Sequence, residues 1–226
     1  MKKMSRFQNK FFIFISALIF ISCDFTPRVH KDILKAQNYI SLRQYRKAID
    51  LYSKIVSRDP SKTIKVKIYY QLGEIYSINL MENEKALKYY KKVIQIDPEP
   101  QWIVKSQERL GEIYFNFLKK YKESSKIYKK LTEFTPKLKK YDFYEYKLAQ
   151  SSLNRGYYKK AKSVFTRISE DINHQHYVRS YYYLGLIEFQ QENWKDAIKF
   201  FKTYTKRENR RDNIIQAQFL MANAYE

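Results

Sequence analysis

The chain contains 226 residues, and 44 lysine or arginine residues against 23 aspartate or glutamate residues give it a formal net charge of +21. Such a charge favours anionic partners such as acidic proteins, lipid head groups or nucleic acid, through an attraction that salt screens. The other interpretation is that the many lysine pairs only solvate the outer faces of helices. With a single cysteine the chain cannot form an internal disulfide, so its fold must depend on packing alone.

The N-terminal segment predicts a secretory signal peptide over residues 1–22. Basic residues from Lys2 to Lys10 precede an apolar run from Phe11 to Ile21. A helix over this run is about 16 Å long, which is about half the thickness of the hydrocarbon core of a bilayer. Cleavage is therefore a better interpretation than a permanent transmembrane span.

The cysteine that follows this run resembles the lipobox of bacterial lipoproteins. Ser22 and Cys23 come directly after Phe20 and Ile21, although a lipobox usually carries leucine at the position of Phe20. The resemblance implies cleavage before Cys23, its acylation by chains such as palmitate, and a lipoprotein anchored in a membrane of the bacterial cell envelope, facing the periplasm. Several acyl chains anchor a protein stably, whereas a single chain gives only marginal membrane binding. The alternative is a cysteine without function beside an ordinary signal peptide, and in either case residues 23–30 form a tether.

From about residue 31 to residue 226 the chain consists of repeats. A small residue is followed four residues later by an aromatic one and three residues after that by a larger side chain. A period of about 37 residues is typical of a solenoid, in which each helix pair buries its apolar face by stacking on its neighbours. The five rows are Ala48/Tyr52/Ile55, Ala86/Tyr90/Val93, Ser124/Tyr128/Leu131, Ala161/Phe165/Ile168 and Ala197/Phe201/Tyr204.

Apolar residues at helical spacing predict a first helix in each pair, and the rows lie on the second helices. Pro60, Pro98 and Pro136 each come at the same distance after the small residue of a second helix, where proline stops a helix. A last apolar segment, residues 214–225, resembles a first helix without its second, and it either caps the solenoid or docks a partner. The predicted first helices span residues 31–42, 64–79, 101–118, 140–154 and 176–191.

Short motifs within the pairs resemble the tetratricopeptide repeat. The motifs are Leu72-Gly73-Glu74-Ile75-Tyr76, Leu110-Gly111-Glu112-Ile113-Tyr114 and Leu184-Gly185 in first helices, and Tyr45/Ala48, Tyr158/Ala161 and Trp194/Ala197 in second helices. The resemblance implies an all-α fold, a right-handed α-solenoid of about five tetratricopeptide helix pairs plus a C-terminal helix. Two pairs depart from the pattern, because the intervals from Gly73 to Ala86 and from Gly111 to Ser124 each contain one extra residue. We therefore predict a longer inner turn in the second and third pairs.

No catalytic, metal or cofactor site is predicted. Three of the four glycines occupy equivalent helix-crossing positions and Gly156 lies in a turn, so none remains to hold a phosphate. His174 and His176 are two residues apart without a nearby cysteine, a weak pattern for zinc, and are interpreted as loop histidines. We expect a chain that is not an enzyme, binds no cofactor and has no small-molecule substrate.

The tetratricopeptide resemblance implies that first helices line a concave surface and that fixed positions of each repeat face a bound partner. Aromatic anchors with a few polar groups suit contact with a protein, although some of these rings would equally well only pack between pairs. Relatives that clamp a terminal carboxylate use lysine and asparagine where this chain has Tyr70 and Glu74, which disfavours such a clamp. The candidate partner-binding residues are Lys67, Tyr70, Glu74, Lys105, Glu108, Glu112, Phe115, Asn116, Phe143, Tyr146, Gln150, Asn154, Arg179, Tyr182, Phe189 and Gln190.

The anchor and the repeats together favour a lipid-anchored scaffold that binds another cell-envelope protein. In architecture the chain looks like BamD, the tetratricopeptide lipoprotein of the outer-membrane β-barrel assembly machinery. The alternative is an envelope or peptidoglycan-associated factor whose basic surface binds an anionic polymer or lipid, in a manner that weakens steeply with salt. Nucleic acid is disfavoured as a partner because the predicted signal peptide directs export.

Overall fold

The computed structural model describes residues 28–96 and 99–225, and within these residues it contains eleven α-helices and no strand. The predicted signal peptide, Cys23, most of the tether and Pro98 lie outside the described residues. The chain divides into two compact units, one up to Ile64 and one from Lys65 onward, which are described separately. The predicted all-α fold is therefore confirmed for the described residues.

The first unit contains one helix pair. Helix α1 spans Arg28–Ser41 and helix α2 spans Tyr45–Ser57, and the two pack against each other. Helix α1 begins three residues before its predicted start at residue 31, so the last residues of the predicted tether are helical. An ion pair of 2.7 Å between Arg58 Nη1 and Asp32 Oδ2 connects the end of α2 to the start of α1.

The second unit contains the remaining helices. The first of them begins just before the boundary between the units. The helices are α3 (Lys62–Glu74), α4 (Asn83–Gln95), α5 (Pro100–Glu112), α6 (Tyr121–Thr132), α7 (Tyr141–Leu153), α8 (Tyr158–Glu170), α9 (Tyr177–Gln190), α10 (Trp194–Thr205) and α11 (Arg211–Asn223). From α4 onward each helix contacts the next one along the chain, as stacked helix pairs require. All predicted first helices are present, and their ends lie within three residues of the predicted ends when the π-helical turns that follow α3 and α5 are included.

The extra residue in the second and third pairs does not lengthen the inner turn, so that prediction is wrong. Helices α3 and α5 instead continue as π-helical turns, Ile75–Asn79 and Ile113–Phe117. Three residues then connect each π-helical turn to the next helix, as many as connect α1 to α2 or α9 to α10. A π-helical turn accommodates one additional residue by widening the backbone ring, so the helices on both sides keep their register.

Every inner turn contains one residue with a positive φ at the same place. Arg43, Met81, Lys119 and Glu192 have φ between 53° and 61°, and Gly156 has φ 76°. Glycine adopts this conformation without strain, whereas the other four side chains occupy a region that is unfavourable for L-residues. The turn geometry is therefore set by the helix pairing and not by the turn sequence.

The rows of small and aromatic residues form the core, as predicted. Tyr90, Phe165 and Phe201 are fully buried. A Cβ atom added to Gly73 would lie 2.6 Å from Tyr90 Cε1, and one added to Gly185 would lie 2.6 Å from Phe201 Cε1. The two backbones of a pair thus approach so closely that the aromatic ring fills the space of a side chain.

The core of the second unit continues from one helix pair to the next. Ala86 and Tyr90 of α4 form one cluster with Leu110 of α5, and Tyr128 of α6 forms another with Tyr144 of α7. A third cluster joins α7, α8 and α9, and a fourth joins α9, α10 and α11. Each pair therefore buries its apolar face against its neighbour.

The last helix is only partly covered. Ala217, Leu220 and Met221 of α11 pack against α10 and α9. On its other side Ile215 and Phe219 are 51% and 65% exposed. Among the described helices, none is long and apolar enough to cross a membrane.

Candidate protein-binding groove

A groove of about 720 Å³ lies in the second unit, where α3, α5 and α7 come side by side. We call it the α3/α5/α7 groove. First helices supply nearly all of its lining, as the tetratricopeptide resemblance implies. Its lining residues are Tyr70, Gln71, Trp102, Lys105, Glu108, Arg109, Glu112, Asn116, Tyr128, Lys140, Phe143 and Lys147.

Aromatic rings stand at both ends of the groove. The Tyr70 ring lies edge-on to Trp102 with the ring centroids 5.4 Å apart, and edge-on to the buried Tyr90 at 5.5 Å. At the α7 side the Phe143 ring lies edge-on to Tyr128 at 6.2 Å. Such offset pairs hold large apolar surfaces in place, so these rings are preorganised for contact.

Arg109 connects two carboxylates of the groove. Its Nε lies 2.9 Å from Glu74 Oε1 and its Nη1 lies 3.1 Å from Glu112 Oε2. The Tyr90 hydroxyl donates a hydrogen bond of 3.0 Å to the same Glu74 oxygen. Desolvation lowers the pKa of Arg109, but Glu74 and the hydrogen bonds to Tyr70 and Glu112 outweigh it, so the pKa is raised. Both carboxylates are therefore occupied within the chain.

Glu108 is occupied in the same way. Its Oε1 accepts a hydrogen bond of 2.5 Å from the Tyr144 hydroxyl and lies 3.0 Å from Lys140 Nζ. Burial and this hydrogen bond raise the pKa of Tyr144, which keeps its hydroxyl protonated as a donor. The carboxylates of the groove thus add little negative charge that a ligand would meet.

Two lysines of the groove have no such partner. Lys147 Nζ lies 4.2 Å from the centroid of Phe115 and 5.8 Å from that of Phe143, and Lys105 Nζ lies 5.0 Å from that of Trp102. Burial, and secondly the charge of Arg179, lower the pKa of Lys147. No carboxylate of the described residues forms an ion pair with either lysine. They are the cations available to a ligand.

Six of the candidate residues predicted from the sequence line this groove together. They come from the second, third and fourth pairs and combine two rings with four polar groups. The six are Tyr70, Lys105, Glu108, Glu112, Asn116 and Phe143. Glu74 and Phe115 lie behind them, where Glu74 holds Arg109 and Phe115 supports Lys147.

Several other candidates are placed inside the packing of the later pairs. Tyr146 is 5% exposed and stacks on His176 at 4.0 Å, and Tyr182 is 8% exposed in the cluster that joins α9 to α11. Buried Gln150 donates to the Tyr183 hydroxyl, and Asn154 donates to the Gln150 carbonyl one turn earlier. These residues support the surface of the later pairs, and contact with a partner stays a prediction for them.

The remaining candidates lie apart from the α3/α5/α7 groove. Lys67 and Gln190 are exposed, and Phe189 packs edge-on to Trp194 with centroids 5.1 Å apart. Desolvation lowers the pKa of half-buried Arg179, but the neighbouring tyrosines of α7 and α9 outweigh it, so the pKa is raised. Contact of these four residues with a partner also stays a prediction.

Six residues that line the groove are not among the candidates predicted from the sequence, namely Gln71, Trp102, Arg109, Tyr128, Lys140 and Lys147. Helical spacing could have found two of them. Arg109 lies four residues after Lys105, and Lys147 lies four residues after Phe143, so each shares a helix face with a residue that was selected.

The histidine pair lies in the loop between α8 and α9, as predicted. His174 is buried and its Nδ1 accepts a hydrogen bond of 3.0 Å from the backbone of His176. The backbone N–H of Gln175 donates a hydrogen bond of 3.3 Å to Asp142 Oδ2, which fixes the loop against α7, and His174 Nε2 lies 3.6 Å from Glu145 Oε2. In the part of the chain that the structure describes, no group of three or more His, Cys, Asp or Glu residues is arranged to hold a metal ion.

Comparison with known sequences agrees with the observed fold of stacked helix pairs. The family model described as tetratricopeptide repeat matches residues 33–62 and 66–100. Tetratricopeptide repeats are therefore present in this chain. No curated protein matches the sequence at a significant level.

Solved structures of other proteins share the fold. YrrB, "a TPR protein with an unusual peptide-binding site", is 18% identical with a TM-score of 0.62, over 83% of this chain and 90% of its own. PilW, a "widely conserved type IV pilus biogenesis factor", is 18% identical with a TM-score of 0.54, over 87% and 89%. MamA of AMB-1 is 15% identical with a TM-score of 0.58, over 83% and 97%. At these identities the likeness shows the fold alone.

Proposed function

We propose that this chain is a lipid-anchored tetratricopeptide scaffold of the bacterial cell envelope, and that the α3/α5/α7 groove binds a segment of another envelope protein. One observation carries the proposal. The groove carboxylates are occupied by neighbouring groups of the chain, whereas Lys105 and Lys147 lie beside aromatic rings without a carboxylate partner. Aromatic anchors contribute much of the binding energy of protein contacts, and uncompensated charges select the partner.

The groove favours an acidic segment with apolar side chains. Among the described residues, its lining contains the cations Lys105, Arg109, Lys140 and Lys147 but only Glu108 and Glu112 as anions. Burial disfavours the charged form of the Lys147 ammonium group. A ligand carboxylate beside it would stabilise that charged form. Apolar side chains of the ligand would pack on the aromatic rings at the two ends of the groove.

The anchor is supported by the sequence alone. The apolar run that ends in Phe20-Ile21-Ser22-Cys23 is similar to a lipoprotein signal, and acylated Cys23 would hold the chain at a membrane, facing the periplasm. Helix α1 begins at Arg28, so few residues separate this anchor from the repeats. We therefore place the groove in the envelope, where its partner would be another envelope protein.

Assembly of outer-membrane proteins is the specific process that we favour, because the architecture looks like that of BamD. Two structural neighbours are compatible with a binding role of this kind. YrrB is described as having a peptide-binding site, and PilW as a factor of pilus biogenesis. The proposal assigns no catalytic step to the chain.

Photocross-linking in intact cells tests this function. A photoreactive phenylalanine analogue replaces Tyr70 or Phe143, both in the groove, and trapped proteins are identified by mass spectrometry. Replacement of Phe134 in the loop after α6 serves as the control. We expect a common envelope protein from both groove positions and not from the control. Capture of cytoplasmic proteins alone, or of the same set at all three positions, would reject the proposal.

Charge reversal shows whether the groove itself holds the partner. The double variant Lys105→Glu/Lys147→Glu should reduce the cross-linking yield about tenfold or more, because two attractive charges become repulsive. A matched control, Lys35→Glu/Lys62→Glu, makes the same change in net charge at exposed positions outside the groove. An equal loss in both variants would mean that only the total charge matters.

The alternative function is an envelope factor whose basic surface holds an anionic polymer or lipid. A different observation favours it, the charge of the second helices. It concerns another surface of the second unit, so the two functions are compatible with each other.

A further inference from the structure

The positive charge of the second unit is concentrated on its second helices. Helices α4, α6, α8 and α10 contain fifteen basic and four acidic residues, whereas the first helices α5, α7 and α9 contain four basic and five acidic residues. No lysine of a second helix lines the α3/α5/α7 groove. The basic surface and the groove are therefore different sites.

The most concentrated part of this surface is on α10. Lys195, Lys199, Lys202 and Lys206 follow one another at steps of four, three and four residues, so they form a row along one face of the helix and its C-terminal end. An open concavity of about 1170 Å³ lies along this row, and among the described residues Asp196 is the only acidic one that lines it. We call this surface, which Arg207 and Tyr225 also line, the α10 basic face.

None of the four lysines forms an ion pair with a carboxylate of the described residues. Nearby Glu208 forms its ion pair with Arg210, whose Nε lies 3.4 Å from Glu208 Oε1, and not with one of these lysines. Arg207 is held by the Tyr177 hydroxyl at 2.9 Å. Within the part of the chain that the structure describes, the row therefore has no ion-pair partner.

Helix stability does not explain the row. Lysines three or four residues apart on one helix face repel each other. Lys195 also lies in the first turn of α10, where a cation opposes the helix dipole. Only Lys202 and Lys206, near the C-terminal end, are placed where the dipole favours them. The repetition of charge is better explained by a partner that supplies anions.

We propose that the α10 basic face docks on an anionic phospholipid bilayer. Of the fifteen basic residues on the four second helices, Lys85, Lys129, Lys162 and Arg167 are paired with carboxylates of the chain. The other eleven are spread over all four helices, which matches an extended anionic surface better than a single acidic peptide strand. The exposed Tyr225 ring, whose centroid lies 5.5 Å from Lys202 Nζ, adds the aromatic group that settles at the level of lipid head groups. Lysines near a bilayer are attracted by its negative surface potential within a Debye length.

The two tryptophans of the chain allow a test that separates this surface from the groove. Trp102 lines the groove, and Trp194 is the first residue of α10 and 42% exposed. The full chain is prepared with Cys23→Ser, so that no acylation occurs, and with Trp102→Phe, so that fluorescence comes from Trp194. It is titrated with vesicles of phosphatidylcholine alone or with phosphatidylglycerol added. The neutral vesicles measure the contribution of the apolar N-terminal run.

We expect a blue shift of Trp194 emission and co-sedimentation with the phosphatidylglycerol vesicles, both lost at high salt. The variant Lys195→Gln/Lys199→Gln/Lys202→Gln/Lys206→Gln should bind these vesicles about tenfold more weakly or worse. A control with the same change in charge, Lys35→Gln/Lys62→Gln/Lys137→Gln/Lys139→Gln, removes exposed lysines outside the second helices and should lose less than about threefold. Far-UV circular dichroism shows that each variant is folded.

Three outcomes would overturn the proposal. The first is equal binding to neutral and anionic vesicles, and the second is an equal loss in the two quadruple variants. The third is that the protein binds poly-glutamate through the α10 lysines but does not bind vesicles. The occupant of this surface would then be an acidic protein. The companion protein with Trp194→Phe reports on the groove through Trp102, so a failure of the groove function is seen independently.

Discussion

Close contacts between single residues determine how tightly two helices of a pair can pack. At Gly185 a methyl group would meet Phe201 Cε1 at 2.6 Å, a separation that real Cβ atoms do not show. Phe201 is fully buried and surrounded by Tyr182, Ala197 and Tyr204, so its ring cannot move aside without disturbing this cluster. The small residue is therefore required by the ring opposite and not by backbone conformation.

The first prediction follows from this contact. Gly185→Ala should destabilise the protein by about 1 to 3 kcal/mol, the usual penalty for overpacking a core. Phe201→Leu alone should also destabilise it by opening a cavity, but the double variant should be less unstable than the sum of the two. Urea unfolding followed by circular dichroism measures the cycle. Strict additivity would show that the methyl group does not meet the ring.

A second contact at this scale is sensitive to pH. The His176 ring stacks on Tyr146 at 4.0 Å, and His174, Asp142, Lys147 and Arg179 act on it electrostatically. Burial, and secondly the charge of His174, lower the pKa of His176 from 6.5 to about 4. The unfolded chain then binds the proton more tightly than the folded one. The stability conferred by the neutral ring is present above pH 6.5 and is lost as the pH falls toward 4.

We accordingly predict a difference in pH dependence for His176→Phe, which keeps a ring on Tyr146 but cannot take up a proton. Between pH 7 and pH 4.5 the wild type should lose on the order of 1 kcal/mol more unfolding free energy than the variant, after allowance for solvent screening. Urea titrations at the two pH values give this difference. His30→Gln, at an exposed position of α1, is the control, and an identical loss in the wild type and His176→Phe would refute the assignment.

At the level of elements, the π-helical turns account for the irregular spacing of the repeats. Ile75–Asn79 and Ile113–Phe117 occur in the two pairs that have one extra residue between the small residues of their helices. Asn116, which belongs to the second of these turns, lines the groove. The irregularity thus lies in the part of the second unit that lines the binding surface.

Deletions of one residue test this interpretation. Removal of exposed Ile78 should convert the first π-helical turn into a regular α-helix, with the same helical content and a small loss of stability. Removal of exposed Gln190, where the spacing contains no extra residue, should destabilise the protein by more than about 2 kcal/mol, because it rotates the buried stripe of α10 away from α9. Thermal and urea unfolding compare the two. Equal destabilisation would argue against an inserted residue.

For the whole molecule, the most important property is the separation of charge. The groove is lined by first helices with nearly balanced charge, and the second helices of the second unit carry the excess of lysine. One surface is thus suited to a protein segment and another to an anionic surface. An unbalanced charge also weakens the folded state, because like charges repel one another in the compact form.

Salt should therefore stabilise the protein. We predict that the thermal midpoint rises by a few degrees between about 20 mM and about 300 mM NaCl, because screening reduces this repulsion more than it weakens the few exposed ion pairs. In the quadruple glutamine variant of α10 the rise should be smaller. Differential scanning fluorimetry measures both. A midpoint that falls with salt in the wild type would mean that ion pairs dominate.

Sequence reasoning predicted those features that depend on periodic packing. Helix pairs and the Ala86/Tyr90 type of contact follow from the spacing of small and aromatic side chains, because an apolar stripe at helical period must be buried. Apolar spacing also predicted the bounds of the first helices, within three residues when the π-helical turns are included. The tetratricopeptide resemblance selected six residues of the groove, since it implies that fixed positions of a repeat lie on one face.

The tertiary structure alone decided how local exceptions are accommodated and which side chains are neighbours. An extra residue is compatible with a longer turn or with a π-helical turn, and only the packing of both helices selects between them. Likewise the pairing of Arg109 with Glu74, and of Lys140 with Glu108, joins residues from neighbouring pairs, so it depends on distances that spacing along one helix does not contain. Such pairings leave Lys105 and Lys147 without an acidic partner, and they thereby define the chemistry that the groove offers to a ligand.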